Sequence, residues 1–128
     1  PTSFSKPVLF VEIGSTQEHW QDCTAIETVC EAVMATIESE YSADKISIGF
    51  GGTHYSEKFT NLIIESNYAL GAIMPKYALP NLDKFILNQM ITKSVEKVSY
   101  AILDWKGVKE KNRVISLVEE SGLEIVKL

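Results

Sequence analysis

One loop of this chain combines glycine, threonine and histidine at a spacing suited to ligand chemistry. The stretch Gly49 to Tyr55 reads G-F-G-G-T-H-Y and follows the apolar run Ile46 to Ile48. Glycine lets a backbone approach a ligand closely, and an imidazole can act as a general base. The order strand, glycine turn, polar residue, helix is how α/β proteins build ligand sites. A tight turn with an incidental histidine remains an open alternative, because no phosphate-binding motif is completed here.

Polar residues also follow the other apolar runs, and a parallel sheet would gather them. Because the carboxyl ends of parallel strands share one edge, these side chains are expected to converge there. Together they offer a base, an imidazole and ammonium groups, which can orient a water, polarise a carbonyl and hold phosphate. The structural alternatives are a lysine partner for Glu12, a turn cap for Asp104, and solvated lysines. The residues are Glu12, His54, Lys76, Tyr77, Asp104 and Lys106.

The elements that must position these residues alternate between strand and helix. Such alternation predicts an α/β fold with a mostly parallel five-stranded sheet and helices on both faces. No linker or repeat divides the chain, so residues 1–128 are predicted to form a single α/β domain. Ser15 and Glu18 have the spacing of a capping box, and Gly122 is typical of a helix C-cap. The predicted strands are Val8–Ile13, Ile46–Phe50, Tyr68–Met74, Tyr100–Trp105 and Leu123–Lys127, and the predicted helices are Glu18–Glu40, Glu57–Ser66, Leu82–Lys97 and Lys109–Ser121.

Charge is unevenly distributed along the 128 residues, whose net charge is −5. Residues 1–52 carry eight acids against two lysines, whereas residues 53–113 carry nine bases against six acids. An acidic protein is a poor non-specific nucleic-acid binder. The basic middle leaves room for a local phosphate-contacting face, although an ordinary solvated helix surface would have the same composition. No run is long and apolar enough to span a bilayer, and no secretory leader is visible.

The two cysteines, Cys23 and Cys30, are seven residues apart in a helical pattern with Ile26, Val33 and Ile37. This spacing places both on one apolar stripe, about two turns apart, which is too far for a disulfide between them. The sequence therefore predicts reduced thiols in the core of a cytosolic protein.

Metal and nucleophile motifs are sparse. Two histidines without a Cys-x-x-Cys pair are too few for a structural zinc site. A catalytic metal held by His54 with Glu12 or Asp104 stays open. The chain has no serine nucleophile elbow and no well-placed Cys–His pair, which disfavours nucleophilic catalysis by a side chain.

Several blocks of residues occur in an order that resembles a known family. They read V-E-I-G-S-T at residues 11–16, then Trp20, G-G-T-H-Y at 51–55, P-K-Y-A-L at 75–79 and D-W-K-G at 104–107. From about Val8 to Val118 the chain resembles the archaeal- and plant-type, GEKO-like D-aminoacyl-tRNA deacylases. The resemblance implies hydrolysis of the ester joining a D-amino acid to the 3′ end of tRNA, releasing free D-amino acid and recycling mischarged tRNA. It also implies an α/β fold similar to the phosphorylase and peptidyl-tRNA hydrolase group, with zinc as a possible cofactor.

The resemblance has two departures. Family members are longer, with another α/β portion before the matched region, so the chain is expected to be the C-terminal part of a longer deacylase. The family commonly has a histidine after Gly71, where this chain has Ala72.

The sequence and the resemblance together predict a role for each site residue. His54, Glu12 and Asp104 are the predicted catalytic residues, and His54 is the best candidate metal ligand. The predicted partner is the 3′ end of tRNA carrying a D-amino acid, with no membrane or DNA partner, in the cytoplasm. The alternatives are a non-catalytic tRNA- or nucleotide-binding α/β domain and, by fold analogy alone, a phosphorylase-like enzyme. The predicted substrate-binding residues are Gly51, Gly52, Thr53, Tyr55, Lys76, Tyr77 and Lys106.

Overall fold

The computed structural model describes residues 8–14, 16–39 and 43–128 of the chain. The chain falls into two compact units, one before Ala43 and one from Ala43 to Leu128. No helix among the described residues is both long and apolar enough to cross a membrane.

The first unit has two helices where the sequence predicts one from Glu18 to Glu40. These are α1, Gln17–Trp20, and α2, Cys23–Glu38. The break occurs because the carboxylate of Asp22 caps a new helix, accepting the N–H of Thr24 at 2.9 Å and that of Ala25 at 3.2 Å. A side chain that captures these free N–H groups stabilises a helix start by about 1 kcal/mol. Ser15, the predicted capping residue, lies outside the described residues.

Two further predictions for this unit are wrong. Residues 8–13 form no strand, because an apolar run has strand propensity but becomes a strand only by pairing with another. Cys23 and Cys30 are exposed free thiols rather than core residues, and no residue of α2 is buried. Helical spacing identifies an apolar stripe, which is buried only where another element covers it.

The second unit is built on a parallel sheet, which confirms the predicted α/β class. The sheet has four strands rather than the predicted five, because residues 8–13 do not join it. Its order is β2-β1-β3-β4, and all three pairings are parallel. The strands are β1 Lys45–Phe50, β2 Tyr68–Met74, β3 Tyr100–Leu103 and β4 Glu124–Lys127, and the helices are α3 Glu57–Glu65, α4 Lys84–Thr92 and α5 Lys111–Glu120, with a 3-10 turn at Leu79–Asn81.

The central strands β1 and β3 supply the core of this unit. Ile48, Phe50 and Leu103 are fully buried, and Val114 and Val118 of α5 pack with them. Near-continuous burial of a strand is what a parallel sheet covered by helices requires. The core therefore fixes the carboxyl ends of β1 and β3 side by side, which is where the polar loops begin.

Helix boundaries in this unit differ modestly from the predicted ones. The predicted C-cap is confirmed, since Gly122 follows α5 with φ of +76°. The helix predicted from Leu82 to Lys97 is shorter, because the carboxylate of Asp83 caps α4 by accepting the Ile86 N–H at 2.8 Å. In α3, Phe59 is buried as the apolar pattern predicts, whereas Ile63 is exposed.

Candidate functional site

The strand order creates a crevice between the carboxyl ends of β1 and β3. From β1 the chain passes through α3 to β2 on one side, and from β3 it passes through α5 to β4 on the other. The loops after β1 and β3 therefore run in opposite directions and leave a gap between them. Ligands of α/β proteins bind at such a position. The Asp104 N–H donates to the Phe50 carbonyl at 2.9 Å, so the two strand ends stay joined up to the crevice.

Gly51 and Gly52 turn the backbone sharply at the end of β1. Their φ angles are +106° and +71°, a region that other residues rarely adopt. A Cβ on Gly52 would also lie 2.6 Å from the Ser56 Oγ. Glycine is therefore required for this path, whether or not the loop binds a ligand.

Hydrogen bonds already occupy most of the glycine backbone. The Gly51 N–H donates to the Met74 carbonyl at 2.9 Å, and the Gly52 carbonyl accepts the Lys76 N–H at 3.0 Å. The Gly52 N–H lies beside the Asp104 carboxylate and helps to lower its pKa. The glycines thus join the ends of β1, β2 and β3, and only the Thr53 N–H of the predicted amide group is left to bind a ligand oxygen.

Asp104 is the buried charged residue of the crevice, with 6% of its surface exposed. Its carboxylate accepts a hydrogen bond from the Lys58 ammonium, and the N–H groups of Gly52 and Gly107 lie close enough to favour its ionised form. Burial raises the pKa of Asp104, but the Lys58 ammonium and the two N–H donors outweigh it, so the pKa lies below its ordinary value. An ionised carboxylate with these partners anchors a cation and is a weak base.

Lys58 is a site residue that the sequence analysis did not identify. It lies in the first turn of α3, and its side chain is 45% exposed while its partner carboxylate is 9% exposed. The ammonium therefore links a buried anion to the open side of the crevice. The available signal was its position, because a lysine in the first turn opposes the helix dipole and needs a compensating anion.

His54 and Tyr55 lie on the exposed part of the loop. Their rings meet edge to face with centroids 4.7 Å apart, and Tyr55 is 82% exposed. The Thr53 hydroxyl donates to the Tyr55 carbonyl at 2.7 Å, which closes the loop tip. No residue within 8–14, 16–39 and 43–128 hydrogen-bonds to the His54 imidazole, and Asp104, the other predicted catalytic residue of this unit, binds Lys58 instead. The imidazole is accessible to a ligand.

The structure brings the other predicted residues of the second unit to the same edge. Lys76 and Tyr77 follow β2, and Lys106 follows Asp104; all three are exposed. Glu12 is exposed in the first unit, and its catalytic role stays a prediction. Ala72 lies two residues before the end of β2 and packs against the core, so this position is not on the crevice edge.

Arg113, the single arginine of the chain, holds the loop that carries Tyr77. Its guanidinium donates to the carbonyls of Leu79 and Leu82, both at 2.6 Å, and also binds the Glu110 carboxylate. Because one planar guanidinium binds two carbonyls, it fixes the path of the loop between β2 and α4 beside α5.

The described residues do not fit a zinc ion. No three histidine, cysteine, aspartate or glutamate side chains among them come together as a metal site requires. Asp104 already accepts the Lys58 ammonium, which a cation would have to displace.

Comparison with known proteins identifies close relatives. A family model described as D-aminoacyl-tRNA deacylase matches residues 1–126. Proteins named D-aminoacyl-tRNA deacylase are 36% identical over 126 residues in Cenarchaeum symbiosum, covering 98% of this chain and 49% of the relative, and 40% identical over 130 residues in Methanocaldococcus jannaschii, covering 97% and 49%. The relative in Pyrococcus abyssi is 37% identical over 130 residues, covering 99% and 47%.

A crystal structure described as a conserved protein of unknown function has the same fold. It superposes with a TM-score of 0.77 at 32% identity, covering 89% of this chain and 40% of that one. The chain spans about half the length of the curated relatives that it matches.

Proposed function

Since the chain belongs to the D-aminoacyl-tRNA deacylase family, we propose that its crevice hydrolyses the ester of D-aminoacyl-tRNA. The products are free D-amino acid and tRNA. The relatives carry this activity in their names, and because the chain spans about half of their length, the proposal concerns the full-length protein.

The observation that carries the proposal is the Lys58–Asp104 pair at the crevice between β1 and β3. Ester hydrolysis places negative charge on the carbonyl oxygen in the transition state. A fixed ammonium in a site partly shielded from water stabilises that charge strongly, because it needs no reorganisation. Asp104 is a positioning residue in this scheme, since its ionised carboxylate holds the Lys58 ammonium in place.

The remaining chemistry requires a donor for the oxyanion and a base for water. The Thr53 N–H acts beside Lys58 as the second donor. The His54 imidazole takes a proton from water as the water oxygen bonds to the carbonyl carbon. The bond from that carbon to the ribose oxygen then breaks, and the imidazole returns the proton to the ribose oxygen. An aminoacyl ester is activated, so catalysis of this modest kind is sufficient.

The exposed residues around the crevice are suited to the 3′ end of tRNA. Lys76 and Lys106 offer ammonium groups to phosphate, and the faces of Tyr55 and Tyr77 are available for stacking on unpaired bases. A tRNA substrate implies action in the cytoplasm, where charged tRNA is used.

One observation favours a second candidate, a non-catalytic tRNA- or nucleotide-binding domain. The His54 imidazole is oriented only by its edge contact with Tyr55, and no described residue hydrogen-bonds to it. A general base usually needs a partner that fixes its tautomer and direction.

The experiment is hydrolysis of D-tyrosyl-tRNA against L-tyrosyl-tRNA by the full-length protein, with and without added zinc. We expect faster loss of the D-ester, and a fall of about 10²-fold or more in His54→Ala, which removes the base. His19→Ala is the matched control and should retain the rate, since His19 is exposed in α1. Full turnover in His54→Ala would contradict the assigned base.

Two other results separate the candidates. Binding of tRNA by the wild type without hydrolysis of either ester would favour the non-catalytic domain. A rate that requires zinc would show that metal ligands come from residues beyond those described.

A further inference from the structure

Two lysines, Lys111 and Lys127, place their ammonium groups on the Trp105 indole, and two more, Lys106 and Lys109, are exposed in the loop that follows it. Together with the indole these four form the Trp105 lysine surface. Trp105 follows Asp104 directly, and the main-chain N–H of Trp105 donates to the Leu128 carbonyl at 3.0 Å. This bond joins the end of β3 to the end of β4. The surface therefore extends from the crevice across the carboxyl edge toward β4.

The indole gathers two of these ammonium groups from different elements. Lys127, the last residue of β4, has its Nζ 4.2 Å from the ring centroid, and Lys111, the first residue of α5, has its Nζ 5.2 Å away. Both distances are within the range of cation–π attraction. The half-buried ring thus holds two long, flexible side chains near each other.

No ion pair among the described residues compensates the positive charge of this surface. Ion pairs among the described residues use Lys58, Lys84 and Arg113, and none of the four lysines of the surface has a carboxylate partner there. Of the neighbouring acids, Asp104 is buried against Lys58 and Glu110 is bound by Arg113. Like charges repel, so an external anion bound at this surface would reduce the repulsion between the lysines.

The first turn of α5 shows the same pattern. It contains Lys111 and Arg113, and its acidic neighbour, the N-cap residue Glu110, is bound by Arg113. Lys111 therefore opposes the helix dipole without an acid of its own in that turn. A departure from local stability rules is typical of a functional surface.

We propose that the Trp105 lysine surface binds the phosphate backbone of tRNA next to the ester-bearing end. This proposal rests on the proposed function and names the surface that receives the tRNA body. Lysine ammonium groups act as point charges on phosphate, and exposed ones position a nucleic acid without reading its sequence. With the ester at Lys58, a tRNA strand that runs from it along the carboxyl edge toward β4 passes over Trp105, which joins the ends of β3 and β4.

The test measures binding of uncharged tRNA to the full-length protein at several salt concentrations. The variant Lys111→Gln with Lys127→Gln removes the two lysines on the indole. Each phosphate contact contributes about 0.9 to the slope of log affinity against log salt on duplex nucleic acid, so we expect the slope to fall in magnitude by about 2.

The matched control is Lys45→Gln with Lys97→Gln. This double variant removes the same charge at the amino ends of β1 and β3, away from the carboxyl ends that carry the site. It includes a lysine that also lies on an aromatic ring, since the Lys45 Nζ is 4.8 Å from the Tyr68 ring centroid. The control should keep the wild-type slope. If Lys111→Gln with Lys127→Gln fails to fold by circular dichroism, Lys109→Gln is used, since its exposed side chain has no described contact, and a fall of about 1 is expected.

The outcomes separate this inference from the proposed function. If the wild type binds tRNA and the Lys111→Gln with Lys127→Gln variant keeps the wild-type salt slope, the proposed tRNA surface is wrong, even if the ester is hydrolysed. A reduced slope supports the surface even if no ester is hydrolysed, in which case only the hydrolase is lost. Equal slope changes in both double variants also overturn it, because the effect then comes from total charge.

Discussion

Removal of Lys58 tests whether the buried carboxylate of Asp104 depends on its ammonium partner. In Lys58→Met the carboxylate keeps the nearby Gly52 and Gly107 N–H groups and loses the one countercharge that the described residues supply. Breaking a fully buried ion pair costs about 3–5 kcal/mol, but the Lys58 side chain is 45% exposed, so water screens part of the interaction. We therefore expect a loss of about 1–3 kcal/mol in the free energy of unfolding at pH 7.

The loss should depend on pH in a definite direction. In the wild type the pKa of Asp104 is below its ordinary value of 3.8, so the unfolded chain binds more protons in this range. The stabilisation is complete above 3.8 and is lost as pH falls through the lower, folded value. Without Lys58, burial is less opposed and the pKa of Asp104 rises. The cost of Lys58→Met should then shrink as pH falls below about 4, because Asp104 becomes neutral.

The assay is urea unfolding of the full-length protein, followed by circular dichroism at a series of pH values. Lys84→Met is the control, since Lys84 pairs with Glu120 on the surface, with side chains 77% and 57% exposed. Exposed pairs contribute about 0–1 kcal/mol. The reasoning is refuted if Lys58→Met costs no more than Lys84→Met at pH 7, or if its cost is the same at every pH.

Three more substitutions have defined outcomes. Gly52→Ala should lower the free energy of unfolding by about 1–3 kcal/mol, because Gly52 has a positive φ and an added Cβ would clash with Ser56. The loss should exceed that of Gly122→Ala, where φ is also positive but the space is open. Equal losses in thermal unfolding would contradict the clash with Ser56. Arg113→Lys should cost about 1–2 kcal/mol, since an ammonium cannot hold both loop carbonyls, and denaturation showing no loss would contradict this. Lys76→Ala should reduce the salt slope of tRNA binding by about 1 with little change in turnover, whereas a pure turnover defect would exclude a phosphate contact.

Local sequence patterns predicted most of the second unit. The strand Tyr68–Met74 has the predicted bounds, and Gly122 ends α5 as its conformational freedom indicates. These features depend on residues close in the chain, where backbone preferences and apolar spacing act directly. Residues 8–13 have an equally apolar pattern and form no strand, because pairing is a property of two segments and the pattern belongs to one.

The candidate site shows the same division between local and distant information. The glycine turn, His54 and the polar strand ends were visible in the sequence, and the parallel sheet brings those of the second unit to one edge. Lys58 was not identified, because its partner is 46 residues away and its position in the first turn of a helix does not say which anion it meets. The predicted role of Asp104 as a base also depended on neighbours that the sequence does not specify.

Local sequence patterns were sufficient to predict the α/β class, the glycine turn after β1 and the polar groups at the strand ends. These features follow from backbone preferences and from apolar periodicity, which act over a few residues. Three other features depend on the packed fold: the pairing of four strands, the contact of Asp104 with Lys58, and the meeting of Lys111 and Lys127 on Trp105. Those contacts join residues distant in the chain, and their strength depends on burial, which no single segment possesses before the sheet and helices pack together.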